Sequence, residues 1–154
     1  MIFVCENNGF AEFTPRSAHT KVERVTDVVA PYGLTRETID GNDVVSVWET
    51  FATFLASARA GRGPLLLECL THRLRGHYEG DPAHYRKALA AEDWQEKDPI
   101  LRLQRHGVAE GWFVDEDAAE IERDAQQAVD AAVEFARASP FPPAGLVSEL
   151  TYAS

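Results

Sequence analysis

Three short polar stretches hold the residue types that could grip a charged ligand. They are Asn7-Asn8-Gly9, Asp40-Gly41-Asn42, and a loop over 72–87. In that loop Arg73, Arg75, Arg86 and Lys87 stand against Glu79 and Asp81, and three of the chain's five histidines fall there: His72, His77 and His84. An Asn amide oxygen and a free main-chain carbonyl are hard donors suited to Mg²⁺ or Ca²⁺, and Mg²⁺ usually completes its shell with phosphate oxygens. Guanidinium and imidazole groups suit phosphate itself. Taken together the three stretches suggest a metal-bridged diphosphate. Taken singly each has a plainer reading. Asn-Asn-Gly is ordinary turn chemistry, Asp-Gly-Asn is a turn with a helix cap, a lone loop histidine is commonly inert, and Cys69 inside a strand reads as core rather than nucleophile.

The elements that must position these stretches alternate between strand and helix. Ile2-Phe3-Val4-Cys5 reads as a short buried strand, Glu37-Thr38-Ile39 as a second, and Pro64–Leu70 as a third. Val22, Val25 and Val29 recur at helical spacing up to Pro31. After a cap at Asn42 or Asp43, the residues Val44, Val47, Trp48, Phe51, Leu55 and Ala58 form one apolar helix face that Gly61 ends. Further helices are expected around Asp98–Arg105 and over Asp115–Ala138, followed by an extended, Pro-containing tail from Ser139. This order predicts an α/β fold: a parallel sheet with right-handed crossovers and helices on both faces. Ligands of such sheets bind beyond the carboxyl ends of the strands, and all three polar stretches lie there.

With 154 residues, 45% of them hydrophobic, the chain can bury one core. Its 15 Lys and Arg against 25 Asp and Glu leave a formal net charge of −10, which argues against a nucleic-acid binder or a basic membrane-surface protein. Much of the acidity is local, since residues 107–138 hold nine acids and two bases while the 72–87 loop is basic. No spanning segment or signal peptide is readable, and two cysteines make no disulfide framework, so a cytoplasmic setting is expected.

The wording of these stretches resembles a known family. Phe3-Val4-Cys5-Glu6-Asn7-Asn8-Gly9-Phe10, ending in Thr14-Pro15, is similar to the end of the thiamine-diphosphate motif in alpha subunits of 2-oxo acid dehydrogenase first components. The similarity continues in register through Tyr32-Gly33, Ile39-Asp40-Gly41-Asn42-Asp43-Val44 and Gly63-Pro64. It then runs through Arg73-Leu74-Arg75-Gly76-His77-Tyr78-Glu79-Gly80-Asp81-Pro82, Tyr85-Arg86 and Asp98-Pro99-Ile100. The loop is most like that of bacterial pyruvate and acetoin dehydrogenase alpha subunits.

The resemblance implies a thiamine-diphosphate-binding fold, of which residues 1–154 would be the carboxyl-terminal half. It implies that the Asn8 side chain and the Phe10 carbonyl ligate the Mg²⁺ that holds the cofactor diphosphate. His77 would lie near the diphosphate as the active-site histidine assisting acyl transfer to a lipoyl arm, with Arg73, Asp81, Tyr85 and Arg86 ordering its loop. Partners implied are the amino-terminal half of the alpha subunit as a separate chain, a beta subunit and a lipoyl-bearing acyltransferase.

Departures from the family pattern bear on regulation and completeness. Tyr78 follows His77 where mammalian members carry a phosphorylatable serine, and His84 replaces a later one, so kinase control of that type is not expected. Phe10 stands for the usual Tyr, Glu12-Phe13 for small polar residues, and His72 for an aromatic Tyr. The Gly-Asp-Gly that opens the family's motif, whose Asp is a third metal ligand, is absent. The chain, opening inside a buried strand, is therefore expected to be a split or truncated alpha subunit, active only with partners on pyruvate, acetoin or a related 2-oxo compound. A non-catalytic remnant that binds a partner, and an acyloin-forming enzyme without a lipoyl carrier, are the alternatives.

Overall fold

The computed structural model describes residues 1–86 and 96–151, so Lys87 of the basic loop and the last three residues lie outside the described residues. The chain divides into two compact units, Met1–Glu110 and Gly111–Ser154.

The first unit is built on a parallel sheet of β1 (Ile2–Asn7), β4 (Thr35–Asp40) and β5 (Leu65–Leu70), in the order β1-β5-β4. Between β1 and β4 a two-residue ladder pairs β2 (Phe10–Ala11) with β3 (Thr14–Pro15), a hairpin the apolar pattern does not announce. The central strand β5 is buried on both sides, and apolar apart from Glu68, because both of its faces are covered. Leu65, Leu67 and Cys69 point to one face and pack with Phe54, with Ile2, Ile39 and Ala58 around them. Burying each such leucine stabilises the unit by roughly 1.5–3 kcal/mol. Ile2 pairs with Leu65 and Asn7 with Leu70, while Thr35 pairs with Leu65 and Asp40 with Leu70. All three strands therefore end level.

Helix α2 (Val44–Arg59) covers the Leu65 face. Asp43 starts it, its Oδ1 accepting the N–H groups of Val45 and Ser46 at 3.1 Å, which otherwise lack intrahelical partners. The expected core stripe is rotated. Phe54 is the buried residue, with Ala58 beside it, whereas Trp48, Val44 and Phe51 are exposed, Trp48 at 72%. The helix carries more apolar residues than one face against a three-stranded sheet can take, so a second apolar face is left uncovered.

The helix expected from Val22 shrinks to one turn, α1 (Val25–Val28), and a 3₁₀ turn, Ala30–Tyr32. Its start is displaced because the Arg16 guanidinium takes the carbonyls of Val22 and Glu23. A carboxylate from β5, Glu68, then accepts the N–H groups of Val25 and Thr26 in place of a cap. Pro31 prevents continuation. This turn lies against the opposite face of the sheet from α2. Helix α3 (Pro99–Ala109) begins at Asp98, whose Oδ1 accepts from Ile100 and Leu101, and Arg102 ties it to Asp40 and Asp43.

The second unit holds α4 (Asp115–Ala138) and a short α5 (Leu146–Leu150). Asp115, Glu116 and Asp117 occupy the first turn of α4, where the helix dipole favours acids. No residue of α4 is buried. The tail is not extended throughout as expected. Leu146 N–H bonds the Pro143 carbonyl at 3.0 Å, so the prolines lead into a last helical turn. Among the described residues no helix is long and apolar enough to cross a membrane.

Candidate functional site

Because the strands end level, the segments that leave them meet. Asn7, Asn8, Asp40, Asn42, His72 and Lys97 border one cleft of about 460 Å³ beyond the strand ends. Asn42 is its structural pin. Buried, with 7% exposure, it donates from Nδ2 to the Lys97 carbonyl at 2.7 Å and accepts the His72 N–H at 3.2 Å. One side chain thus fixes both the entry to the 72–86 loop and the approach to α3. Asp43, not Asn42, is the helix cap. Gly41 is required at this crossing, since a Cβ there would lie 2.7 Å from Thr71 Cγ2 and 2.8 Å from Cys69 Cβ.

The turn after β1 presents the two expected metal ligands. Asn8 Oδ1 accepts the Phe10 N–H at 3.0 Å, and Asn7 Oδ1 accepts the Gly9 N–H at 3.1 Å, two successive Asx turns around Gly9 at φ +78°. The Arg16 N–H bonds the Gly9 carbonyl at 2.8 Å, so Phe10 and Pro15 form a non-hydrogen-bonded pair of the ladder and the Phe10 carbonyl points away from β3. That carbonyl and the second lone pair of Asn8 Oδ1 suit a hard cation. Among the described residues no group of three or more His, Cys, Asp or Glu side chains is placed to hold a metal. The two oxygens fit part of a Mg²⁺ shell, which such sites complete with phosphate oxygens.

The loop residues come together as one network. Asp81 accepts the His77 N–H at 2.7 Å, the Ala83 N–H at 2.8 Å and the Tyr85 hydroxyl at 2.8 Å. The His77 N–H above all holds its carboxyl below the usual carboxylate range. Arg86 donates to the Arg73 and Arg75 carbonyls at 2.5 and 2.8 Å. The Arg73 guanidinium lies 3.1 Å from His77 Nδ1. Arginine only donates, so in this contact Nδ1 accepts, which leaves the ring proton on Nε2. Gly76 makes the tight turn possible: a Cβ there would meet Asp81 Cβ at 2.6 Å and its carbonyl at 2.8 Å.

Aromatic rings join this loop to the turn that bears Asn8. Phe13 meets His77 edge-on at 5.2 Å between centroids and Tyr85 at 5.3 Å, and Phe10 meets Tyr85 at 5.7 Å. Phe13 was visible in the sequence only as a departure from a small polar residue. In the structure its ring lies against the imidazole.

Sequence reasoning also missed Glu68. It is completely buried and accepts five hydrogen bonds: Asn7 Nδ2 at 2.6 Å, Val25 N at 2.9 Å, Thr26 N at 3.1 Å, Thr26 Oγ1 at 3.2 Å and Thr38 Oγ1 at 3.0 Å. Burial acts to raise its pKa, but these donors outweigh burial and hold the carboxyl below its ordinary value. An acid inside the run Leu65-Leu66-Leu67-Glu68-Cys69-Leu70 was the available signal. Cys69 is core, as expected, with burial pushing its thiol up.

A parallel α/β sheet with polar residues at its strand ends is an architecture that places a ligand site beyond those ends. The chain belongs to the dehydrogenase E1 component family, whose model matches residues 1–145. It is 38% identical over 143 residues to the alpha subunit of an acetoin:2,6-dichlorophenolindophenol oxidoreductase of Cupriavidus necator, covering 92% of this chain and 43% of that one. The subunit of the same name from Bacillus subtilis is 34% identical over 146 residues, covering 92% and 42%. A chloroplastic pyruvate dehydrogenase E1 component subunit alpha-3 of Oryza sativa is 33% identical over 143 residues, covering 93% and 34%. The chain thus spans between about a third and about two fifths of the length of these curated relatives.

Proposed function

We propose that residues 1–154 are the carboxyl-terminal half of the alpha-subunit domain of a thiamine-diphosphate-dependent dehydrogenase. The reaction decarboxylates or cleaves pyruvate, acetoin or a related 2-oxo compound and hands the acyl group to a lipoyl carrier. Supporting this is the unbroken contact from the Asn8–Phe10 turn, through the Phe10 and Phe13 rings, to the network that orients His77.

Asn8 Oδ1 and the Phe10 carbonyl hold Mg²⁺ at the cofactor diphosphate. When bound, thiamine diphosphate supplies the nucleophilic carbon and the electron sink for the substrate. His77 can donate a hydrogen bond from Nε2–H to a lipoyl sulfur as the disulfide opens, which stabilises the charge developing there during acyl transfer. Arg73 fixes the ring from Nδ1, and Asp81, Tyr85 and Arg86 keep the loop in place.

Catalysis needs partners: the amino-terminal part of the alpha fold, as a separate chain, a beta subunit and a lipoyl-bearing acyltransferase. Favouring this are the half-exposed Phe3 and Val4 on the open outer strand β1 and the uncovered apolar face of α2. Both surfaces have the character of a core divided between chains. The two free cysteines suit a cytoplasmic setting.

Co-expression with an amino-terminal partner and a beta subunit tests the reading. Thiamine diphosphate with Mg²⁺ at about 100 times its Kd should stabilise the complex by roughly 2.7 kcal/mol. Dye reduction with pyruvate or acetoin should then follow. A purified complex that shows no ligand-induced rise in melting temperature overturns the assignment and leaves a partner-binding module.

A further inference from the structure

Glu68 has no part in the chemistry above, yet it is the most fully buried acid of the sheet and lies one side chain from the proposed metal turn. Its two oxygens face donors only. Two are main-chain N–H groups of Val25 and Thr26, two are hydroxyls of Thr26 and Thr38, and the fifth is the amide of Asn7. Thr26 and Glu68 are both buried, so water does not substitute for these partners. The contact to Asn7, at 2.6 Å, is the shortest of the five.

Asn7 transmits this contact. Its Nδ2 can only donate, and it faces a carboxylate. Its Oδ1 can only accept, and it faces the Gly9 N–H at 3.1 Å. The amide cannot turn over without setting oxygen against oxygen on one side and N–H against N–H on the other. A carboxylate pulling on one end of an amide strengthens the acceptor at the other end. The Gly9 N–H so held sets the turn at φ +78°, from which Asn8 and the Phe10 carbonyl project.

We propose that Glu68, acting through Asn7, is the positioning residue that holds the Asn8–Phe10 turn in the shape that presents its two oxygens to the cofactor's metal ion. The assignment rests on the proposed thiamine-diphosphate reading of the site. Glu68 stands two steps behind the proposed ligands, acting through Asn7 and the Gly9 N–H that Asn7 holds, and loss of partners that orient a ligand weakens metal affinity by about 10–100-fold.

The test uses the assembled complex and Mn²⁺ as probe, with free Mn²⁺ measured by electron paramagnetic resonance in saturating thiamine diphosphate. Asn7→Ala should weaken Mn²⁺ binding about 10-fold. Glu68→Gln keeps a neutral acceptor for Asn7 and should weaken binding by a smaller factor, about threefold, since a charge-assisted bond is roughly twice as strong as a neutral one. In the double variant the loss should be no greater than in Asn7→Ala alone, because Glu68 acts only through Asn7. Thr38→Val removes a Glu68 partner on the β4 side, and should lower the melting temperature while leaving Mn²⁺ affinity unchanged.

The proposal falls if Asn7→Ala binds Mn²⁺ normally, or if the two losses multiply. It falls also if Thr38→Val weakens binding as much as Asn7→Ala, which would make Glu68 a structural group only. Should Glu68→Gln fail to assemble, the comparison of Asn7→Ala with Thr38→Val decides. A wild-type complex that binds no Mn²⁺ with thiamine diphosphate refutes the functional reading, and the role of Glu68 with it. Normal wild-type binding with an unaffected Asn7→Ala refutes the role of Glu68 alone.

Discussion

Glu68→Gln also carries a stability prediction whose size and pH dependence follow from its five contacts. The glutamine oxygen can still accept from Asn7 Nδ2 and the Val25 N–H, the two donors that meet Oε1. Its new NH₂ group would face Thr26 N–H, Thr26 Oγ1 and Thr38 Oγ1, the donors that meet Oε2. The two hydroxyls can rotate and accept from that NH₂, but the Thr26 N–H cannot. One buried donor is left without a partner, at a cost of about 1–3 kcal/mol. The carboxyl of Glu68 is held below its ordinary value in the folded chain. Its contribution is therefore complete above the unfolded pKa, about 4.3, and is lost as pH falls through the folded one. Urea unfolding of wild-type and Glu68→Gln chains, followed by tryptophan fluorescence at several pH values, measures the difference. Other carboxyls titrate alike in both chains and cancel. The expected gap is about 1–3 kcal/mol at pH 7, narrowing below pH 4.3. A gap of the same size at pH 7 and pH 3, or no gap at pH 7, refutes the reasoning.

Two further predictions concern the loop. His77→Ala should leave the complex assembled but slow transfer to a lipoyl acceptor by about 10²–10³-fold, the usual value of a positioned hydrogen-bond donor at developing charge; unchanged turnover removes His77 from the mechanism. Gly76→Ala drives a methyl group to 2.6 Å from Asp81 Cβ, so the bonds that Asp81 accepts from His77, Ala83 and Tyr85 must shift. Trypsin should then cut faster at Arg73, Arg75 and Arg86, and an unaltered cleavage rate would show that the turn tolerates a side chain.

The sheet and its long helices were legible because their signals are local. β5 is a bounded apolar run, Asp43 and Asp98 sit where caps belong, and the apolar spacing of α2 and α4 is helical. What was not legible depends on partners distant in sequence. The helix at Val22–Val29 shortened because Arg16 and Glu68 claim its backbone groups, one from six and seven residues before and one from 42 and 43 residues after. The inward face of α2 was mistaken because two apolar faces compete and the sheet accepts one. In the structure Asn8 stands on the turn after β1, and Arg73, His77, Asp81, Tyr85 and Arg86 lie in one hydrogen-bonded loop, both close to where the strand order placed them. Phe13 could not be assigned, since nothing in its flanking residues reveals that an imidazole from beyond residue 70 rests on it. Glu68 was overlooked because its five donors come from β1, α1 and β4, which only the sheet order brings together.

The bare side of β1 bears on how the chain is handled in a cell. An outer strand with Phe3 and Val4 half exposed offers unpaired backbone groups beside apolar side chains, and another copy of the same strand can satisfy them as readily as the proper neighbour. Copies made in excess of their partner would then be drawn into self-association. In the assembly proposed above, the chain's solubility would become a measure of supply: dispersed while partner is abundant, precipitating at a shortfall.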